Sequence, residues 1–463
     1  MTLSIVELIK TQRGKNFSLH EQFLNPQMVR VLKTIGYDRI YTHAEGPYLY
    51  DDQGNKYLDL LSGFGVFALG RNHPTIKSAL QEVIVSDLPD LVQMDVSLLA
   101  GLLAEKLVAL TPEPLTRVFF CNSGAEAVEA AIKFARYTTG RSRILYCEHA
   151  FHGLTMGALS LNGEEIFRQG FGPLLPDCEA IPFNDLEALE RALKERETAA
   201  FIVEPIQGKG VNLPKDGYLS EAARLCRKYG ALFIADEVQT GLGRTGRMWA
   251  VEHWGVEPDM ILMAKALSGG FVPVGAVAMT ARIMDKVFNR MDRAVVHGST
   301  FSKNNLAMAA GLATLTAIEE EHLIANAARQ GQALLAGLAA LVPKYEFFRE
   351  VRGKGLMLAL EFGKPQSLKL KTAWNLLETA NKGLFSQMVT IPLFKRHRIL
   401  SQVAGHGMNV VKFLPPLVVN DEDIAWIINA CDQVLADCHQ VPGAIWDLGK
   451  TLASHALKAK ATA

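Results

Sequence analysis

Two residues of this chain stand where a buried charge has a chemical use. Lys265 closes the apolar run Met260-Ile-Leu-Met-Ala264 and precedes Ala-Leu-Ser-Gly-Gly270. Burying an ammonium is unfavourable and lowers its pKa, which suits an amine that must attack a carbonyl and later move protons. The ordinary alternative is a lysine that snorkels out of a strand end. Asp236 closes a second apolar run, Ala231-Leu-Phe-Ile-Ala235, and leads into Glu237-Val-Gln239; its ordinary alternative is a turn or helix cap. Ser123-Gly124-Ala125 lies between the run Val118–Cys121 and a helical stretch opening at Glu126. Free backbone N–H groups and the positive end of a helix dipole meet there, which is a place for a phosphate. Phe151-His152-Gly153 follows a run ending at Cys147, and an aromatic ring beside a glycine can hold a flat ring in place.

An amine, a carboxylate, an anion hole and an aromatic wall are what pyridoxal 5'-phosphate (PLP) requires of a protein. In this reading Lys265 takes the aldehyde and Asp236 keeps the pyridine nitrogen protonated. Ser123, Gly124 and Ala125 take the phosphate, and Phe151, with His152 beside it, stacks on the ring. Val238 presses on a ring face, and Gln239 reaches the phenolic oxygen.

The elements that must position these residues read as alternating strands and helices. Strands are expected at Arg117–Cys121, Arg143–Cys147, Ala199–Glu204, Ala231–Asp236, Met260–Ala264 and Gly275–Met279, with helices such as Ala125–Tyr137 and Leu219–Tyr229 between them. That is an α/β fold with a mostly parallel central sheet flanked by helices and the functional residues at strand ends. After about Thr314 the pattern changes to a long helix running beyond Leu338. Short strands (Phe347–Arg352, Leu356–Phe362, Val410–Phe413) and a closing helix near Asp421–Cys438 follow, as in a smaller α+β domain. A hairpin with its turn at Asp52–Asn55 marks the N-terminal part. The expected division is an N-terminal segment 1–65 packing with the small domain, a large PLP-binding domain over 66–335 and a C-terminal small domain over 336–463.

Lys+Arg and Asp+Glu balance at 48 each, so nothing points to a nucleic-acid partner. The six cysteines are scattered without a CxxC pair, no metal-ligand spacing stands out, and neither a signal peptide nor an apolar run of spanning length is visible. A reducing cytoplasm is the expected compartment. Gly241-Leu-Gly243-Arg-Thr-Gly246 satisfies the dinucleotide pattern GxGxxG. However, five positions separate Asp236 from Gly241, and no long helix opens after the motif, so it reads as a flexible loop.

The sequence resembles the class III (ornithine/acetylornithine/ω-amino) PLP-dependent aminotransferases of fold type I. The resemblance rests on Asn122-Ser-Gly-Ala-Glu-Ala127, Phe151-His-Gly153, Val203-Glu-Pro-Ile-Gln-Gly208, Ala235-Asp-Glu-Val-Gln-Thr-Gly-Leu-Gly-Arg-Thr-Gly246, Ala264-Lys-Ala-Leu-Ser-Gly-Gly270 and His297-Gly-Ser-Thr-Phe301. It extends from Gly46-Pro-Tyr-Leu-Tyr50 to Lys412-Phe-Leu-Pro-Pro-Leu417. It implies a homodimer with shared active sites, in which Thr300 of one subunit reaches the phosphate bound to the other and Glu204 supports Asp236 or Gln239. It also implies ping-pong amino transfer between a small-molecule amino donor and a carbonyl acceptor, with Lys265 as proton shuttle.

Two departures concern substrate. The arginine that follows the aromatic-x-Gly in the α-amino-acid members is Leu154 here, which cannot clamp a carboxylate. The glutamate that masks a second arginine in the family is Lys209 here, while that arginine is read as Arg352. The combination suggests that an unmasked Arg352 binds the carboxylate of glutamate or 2-oxoglutarate. The other substrate would then be a terminal amine or aldehyde with an apolar body (a lipid, hopanoid or other secondary-metabolite aldehyde) resting against Leu154, Phe64 and Phe67. Ile391–Leu400 is expected to shape the entrance. The alternatives are an acetylornithine/ornithine-type aminotransferase, a PLP aminomutase, racemase or decarboxylase on the same fold, and a non-catalytic PLP-binding protein. Leu3–Ile9 and Ile445–Ala461 are apolar helix candidates, read as dimer-surface elements, with membrane contact as the alternative for a lipid substrate.

Overall fold

The computed structural model describes residues 3–461. The apolar runs of the middle of the chain form one seven-stranded sheet. Its strands are β1 (Leu115–Cys121), β2 (Arg143–Cys147), β3 (Cys178–Ile181), β4 (Thr198–Val203), β5 (Leu232–Asp236), β6 (Met260–Met263) and β7 (Gly275–Thr280), in spatial order β1-β7-β6-β5-β4-β2-β3. Strands β2 to β6 run parallel, and β7 is antiparallel to both of its neighbours. Every residue of β2, β4, β5 and β6 is buried. Helices therefore cover both faces, and these strands read as unbroken apolar runs rather than as alternations. The sequence pattern misses β3, an edge strand with two exposed residues, because an edge needs neither length nor continuous apolarity.

Helix α1 (Gly124–Thr139) follows β1. It packs an alanine-rich face, including Ala127, Ala130, Ala131 and Ala135, into the core. Ser123 caps its start by accepting the Glu126 N–H, and Gly140 ends it at φ +70°. The single long helix expected after Thr314 is instead two, Asn305–Glu320 and Leu323–Ala339, with His322 between them at φ +52°. Asn304 caps the first well upstream. Three successive glutamates (319–321) oppose the negative helix end, and Glu321 turns away to meet His73 at 3.1 Å.

The N-terminal hairpin pairs Tyr48–Asp51 with Lys56–Asp59 around a turn held by Asp51 Oδ1, which accepts the N–H groups of Gln53 and Asn55. Lys56–Asp59 also pairs in parallel with Ile399–Leu400, so the N-terminal segment is hydrogen-bonded to the C-terminal part of the chain. A separate antiparallel sheet comprises Phe348–Lys354, Met357–Phe362, Val410–Phe413 and Gln402–Val403. The C-terminal helix Ala444–Ala461 buries Ile445, Trp446 and Leu452 within the chain and leaves Asp447 and Lys450 exposed. Helix Ile5–Thr11 buries no side chain. No described helix is long and apolar enough to cross a membrane.

Candidate active site

The carboxyl ends of β5 and β6 lie side by side, with Asp236 opposite Leu262, so Asp236 and Lys265 open into one cavity of about 1000 Å³. Lys265 leaves β6 in a short 3-10 turn at φ +42°, a left-handed conformation that costs an L-residue on the order of 1–3 kcal/mol. Its amine forms no hydrogen bond or salt bridge among the described residues. Burial pushes its pKa below the ordinary lysine range, against the pull of Asp236 and Glu204.

Asp236 is 4% exposed and accepts hydrogen bonds from His152 Nδ1 at 2.7 Å and from Val238 N–H at 3.1 Å. Burial lowers the proton affinity of His152, but the Asp236 hydrogen bond and the charges of Asp236 and Glu204 outweigh it and hold the imidazole above its ordinary value. His152 Nε2 is buried without a partner. The buried imidazole thus stands against Asp236 where both side chains line the cavity. Glu204, expected to support Asp236 or Gln239, forms no hydrogen bond with either among the described residues. Its carboxylate accepts the backbone N–H groups of Phe151 at 3.0 Å and Gly208 at 2.8 Å, so it fixes two wall segments. Burial raises its pKa.

Ser123, Gly124 and Ala125 line the cavity at the start of α1. The N–H groups of Gly124 and Ala125 have no acceptor among the described residues, which leaves the anion hole open. A Cβ on Gly124 would stand 3.0 Å from Val238 Cγ1, and one on Gly275 of β7 would stand 2.5 Å from the Ser123 carbonyl oxygen. Both glycines let neighbouring segments close on the anion hole. Gln239 donates to the Phe64 carbonyl at 3.0 Å and accepts from Lys412 at 3.2 Å.

Lys412 was not among the expected site residues. It stands in the apolar strand Val410–Phe413, 5% exposed, and donates to the Gly208 carbonyl at 2.7 Å. Burial and the nearby charge of Lys265 push its pKa down to about 7. The signal that singles out Lys265, a lysine inside an apolar strand, applies equally to Val410-Val-Lys-Phe413. Lys209 and Phe167 also line the cavity.

Three expected substrate contacts lie elsewhere. Arg352 does not line the cavity and is not unmasked: its guanidinium pairs with Glu361 and donates to the carbonyls of Gly210 at 2.7 Å and Val211 at 3.1 Å. Leu154 is 55% exposed outside the lining, and Phe67 packs on Arg71, whose guanidinium is 4.0 Å from its ring centroid. Phe64 is at the rim, with φ +61°. Thr300 is exposed and does not line the cavity of its own chain. The apolar wall comes instead from Val66, Phe271, Val272, Pro273, Val403 and Ala404. Ile391–Leu400, expected at the entrance, does not line the cavity: Ile391–Phe394 is buried and Lys395, Arg396 and Arg398 are exposed, whereas Gln402–His406 line it. The GxGxxG loop is packed rather than flexible. Arg244 is buried and donates to the carbonyls of Leu356 and Pro415, and a Cβ on Gly246 would press on Ala328 at 3.0 Å.

A free amine, a carboxylate hydrogen-bonded to an imidazole, unfilled N–H groups at a helix start and an aromatic ring, Phe151, beside them fit a flat phosphorylated aldehyde with a basic ring nitrogen. Comparison with known proteins agrees. The sequence profile of the family described as Aminotransferase class-III matches residues 33–435. Aminotransferase PigE of Serratia sp. (strain ATCC 39006) is 34% identical over 471 aligned positions, covering 93% of this chain and 55% of that protein. The chain thus spans about half the length of that relative. Among solved structures, the ornithine aminotransferase of Toxoplasma gondii superposes with a TM-score of 0.80 at 31% identity, covering 95% of this chain and 100% of that one. An omega transaminase from Pseudomonas jessenii in complex with PMP gives 0.79 at 28% identity, covering 89% and 94%.

Proposed function

Because the chain belongs to the class III aminotransferases, PLP-dependent enzymes of fold type I, we propose that it moves an amino group between glutamate or 2-oxoglutarate and a terminal amine or aldehyde with an apolar body. The observation that carries this reading is the cavity itself. One space joins Lys265 and Asp236 to an apolar wall and to two further lysines, Lys209 and Lys412. Lipid-like and other secondary-metabolite aldehydes match the wall in character.

When bound, PLP supplies an electron-poor ring that takes up the electron pair of the substrate Cα–H bond. Lys265 would hold the cofactor's aldehyde carbon covalently and, once displaced by substrate, carry the proton to and from Cα. Its depressed pKa makes the neutral amine available for both tasks. Asp236, held by His152, would face the ring nitrogen and keep it protonated. Gly124 and Ala125 would receive the phosphate, with Thr300 of a second subunit completing that site. Phe151 and Val238 would hold the ring, and Gln239 its phenolic oxygen. Lys412, rather than Arg352, is the buried cation facing the cavity, and it would take the substrate carboxylate.

The test is an amino-donor screen of the holoenzyme read by cofactor absorbance. Glutamate and long terminal alkylamines are expected to change the spectrum, and N-acetylornithine is expected to do so poorly. Robust turnover of N-acetylornithine alone would refute the substrate assignment. Silence with every amino donor would refute transamination and favour an isomerase or lyase.

A further inference from the structure

A transaminase of this kind must admit a charged dicarboxylate and an apolar partner into one cavity in turn. The structure holds a side chain suited to that conflict. The backbone around Lys209 is fixed on several sides. Gln207 and Asn212 are paired to each other, Lys412 holds the Gly208 carbonyl, and Arg352 holds those of Gly210 and Val211. The Lys209 side chain, by contrast, forms no hydrogen bond or salt bridge among the described residues. Its ammonium rests 4.2 Å from the ring centroid of Phe167 and 5.5 Å from that of Phe151. These two rings meet edge to face with centroids 5.6 Å apart. All three side chains line the cavity, and the charge of Lys209 is felt at Lys412.

Resting on the transaminase reading above, we propose that Lys209 selects between the two co-substrates. Its ammonium docks the distal carboxylate of a dicarboxylic amino donor or acceptor whose other carboxylate sits at Lys412, and it returns to the faces of Phe167 and Phe151 when an apolar amine or aldehyde occupies the cavity. A carboxylate offers charge-assisted hydrogen bonds that an aromatic face cannot match. Without a carboxylate, the rings keep the cation out of the apolar space. A flexible four-carbon stem on a rigid mount allows both positions. Arg352, expected to bind substrate, instead helps to build that mount.

The experiment is calorimetric titration of the holoenzyme with two unreactive acids of equal chain length, glutarate and valerate. Lys209→Met keeps the stem against the rings and removes the charge. It is expected to weaken glutarate about tenfold, on the order of one charge-assisted contact, and to leave valerate within about twofold. Lys209→Arg should restore glutarate binding. Equal weakening of both acids, no change in either, or no glutarate binding by the wild type would overturn the proposal. The wider reading is tested separately by the absorbance change with glutamate. If that change occurs and Lys209→Met does not discriminate, only the selector fails; if glutarate binding depends on Lys209 but glutamate gives no change, transamination fails and the dicarboxylate site stands.

Discussion

His152 shows how one hydrogen bond governs the candidate chemistry. Its Nδ1 lies 2.7 Å from Asp236, and among the described residues the Val238 N–H is the other hydrogen-bond donor to that carboxylate. Replacing His152 with leucine should lower kcat by roughly ten- to a hundredfold, since Asp236 would lose its charged partner. The pH dependence of the cofactor spectrum should shift in the same variant, which a merely structural role would not produce. In the cofactor-free protein the raised pKa of His152 also carries a sign. Its contribution to stability is complete below the unfolded value of about 6.5 and is lost as pH rises through the higher folded value. Thermal melts of the apo-protein across that window should show the loss, and His152→Leu should flatten it. Lys412 makes the opposite demand on pH. Only its protonated form attracts a carboxylate, so KM for glutamate should climb as pH rises through about 7, while KM for a neutral alkylamine partner should not follow it. Lys265 was legible from its place at the end of an apolar strand. Lys412 carries the same mark, but its contact with Gly208, 204 positions away, exists only in the folded chain.

At the scale of elements, the site depends on how closely β7 and the start of α1 approach. Gly275→Ala would drive a Cβ against the Ser123 carbonyl oxygen at 2.5 Å. Relief requires moving the β1–α1 turn, a distortion worth about 1–3 kcal/mol. Weaker PLP binding in a fluorescence titration and a lower melting temperature are the expected outcomes. Gly208 is similarly confined, since a Cβ there would lie 2.9 Å from Gln239 Oε1 and 3.0 Å from Glu204 Oε1. The parallel strands were readable because burial on both faces forces apolar runs of strand length. The edge strand β3 and the break at His322 were not, because an edge relaxes that demand and the break sits beside a long-range pair, Glu321 with His73, that no local pattern encodes.

For the whole molecule, the described surface carries many exposed apolar residues, among them Leu3, Ile5, Ile9, Val85, Met94, Val96, Met291 and Val295. Surfaces of that character are commonly covered by association. Light scattering is expected to report about twice the 50.8 kDa chain mass. Thr300→Ala should weaken PLP binding severalfold if the subunits share their sites, whereas unchanged PLP affinity would argue against sharing. The residues proposed for the cofactor site were legible in the sequence itself. Strand-end residues, a helix start and glycines act through local geometry, which neighbouring residues dictate. Which side chains line the cavity was decided by tertiary structure alone. Arg352, Leu154 and Phe67 lie outside the cavity lining, while Lys412, Lys209 and Phe167 come from distant segments into one cavity. A cavity wall is assembled from loops of several elements, and no spacing along the chain encodes which of their side chains will face one another.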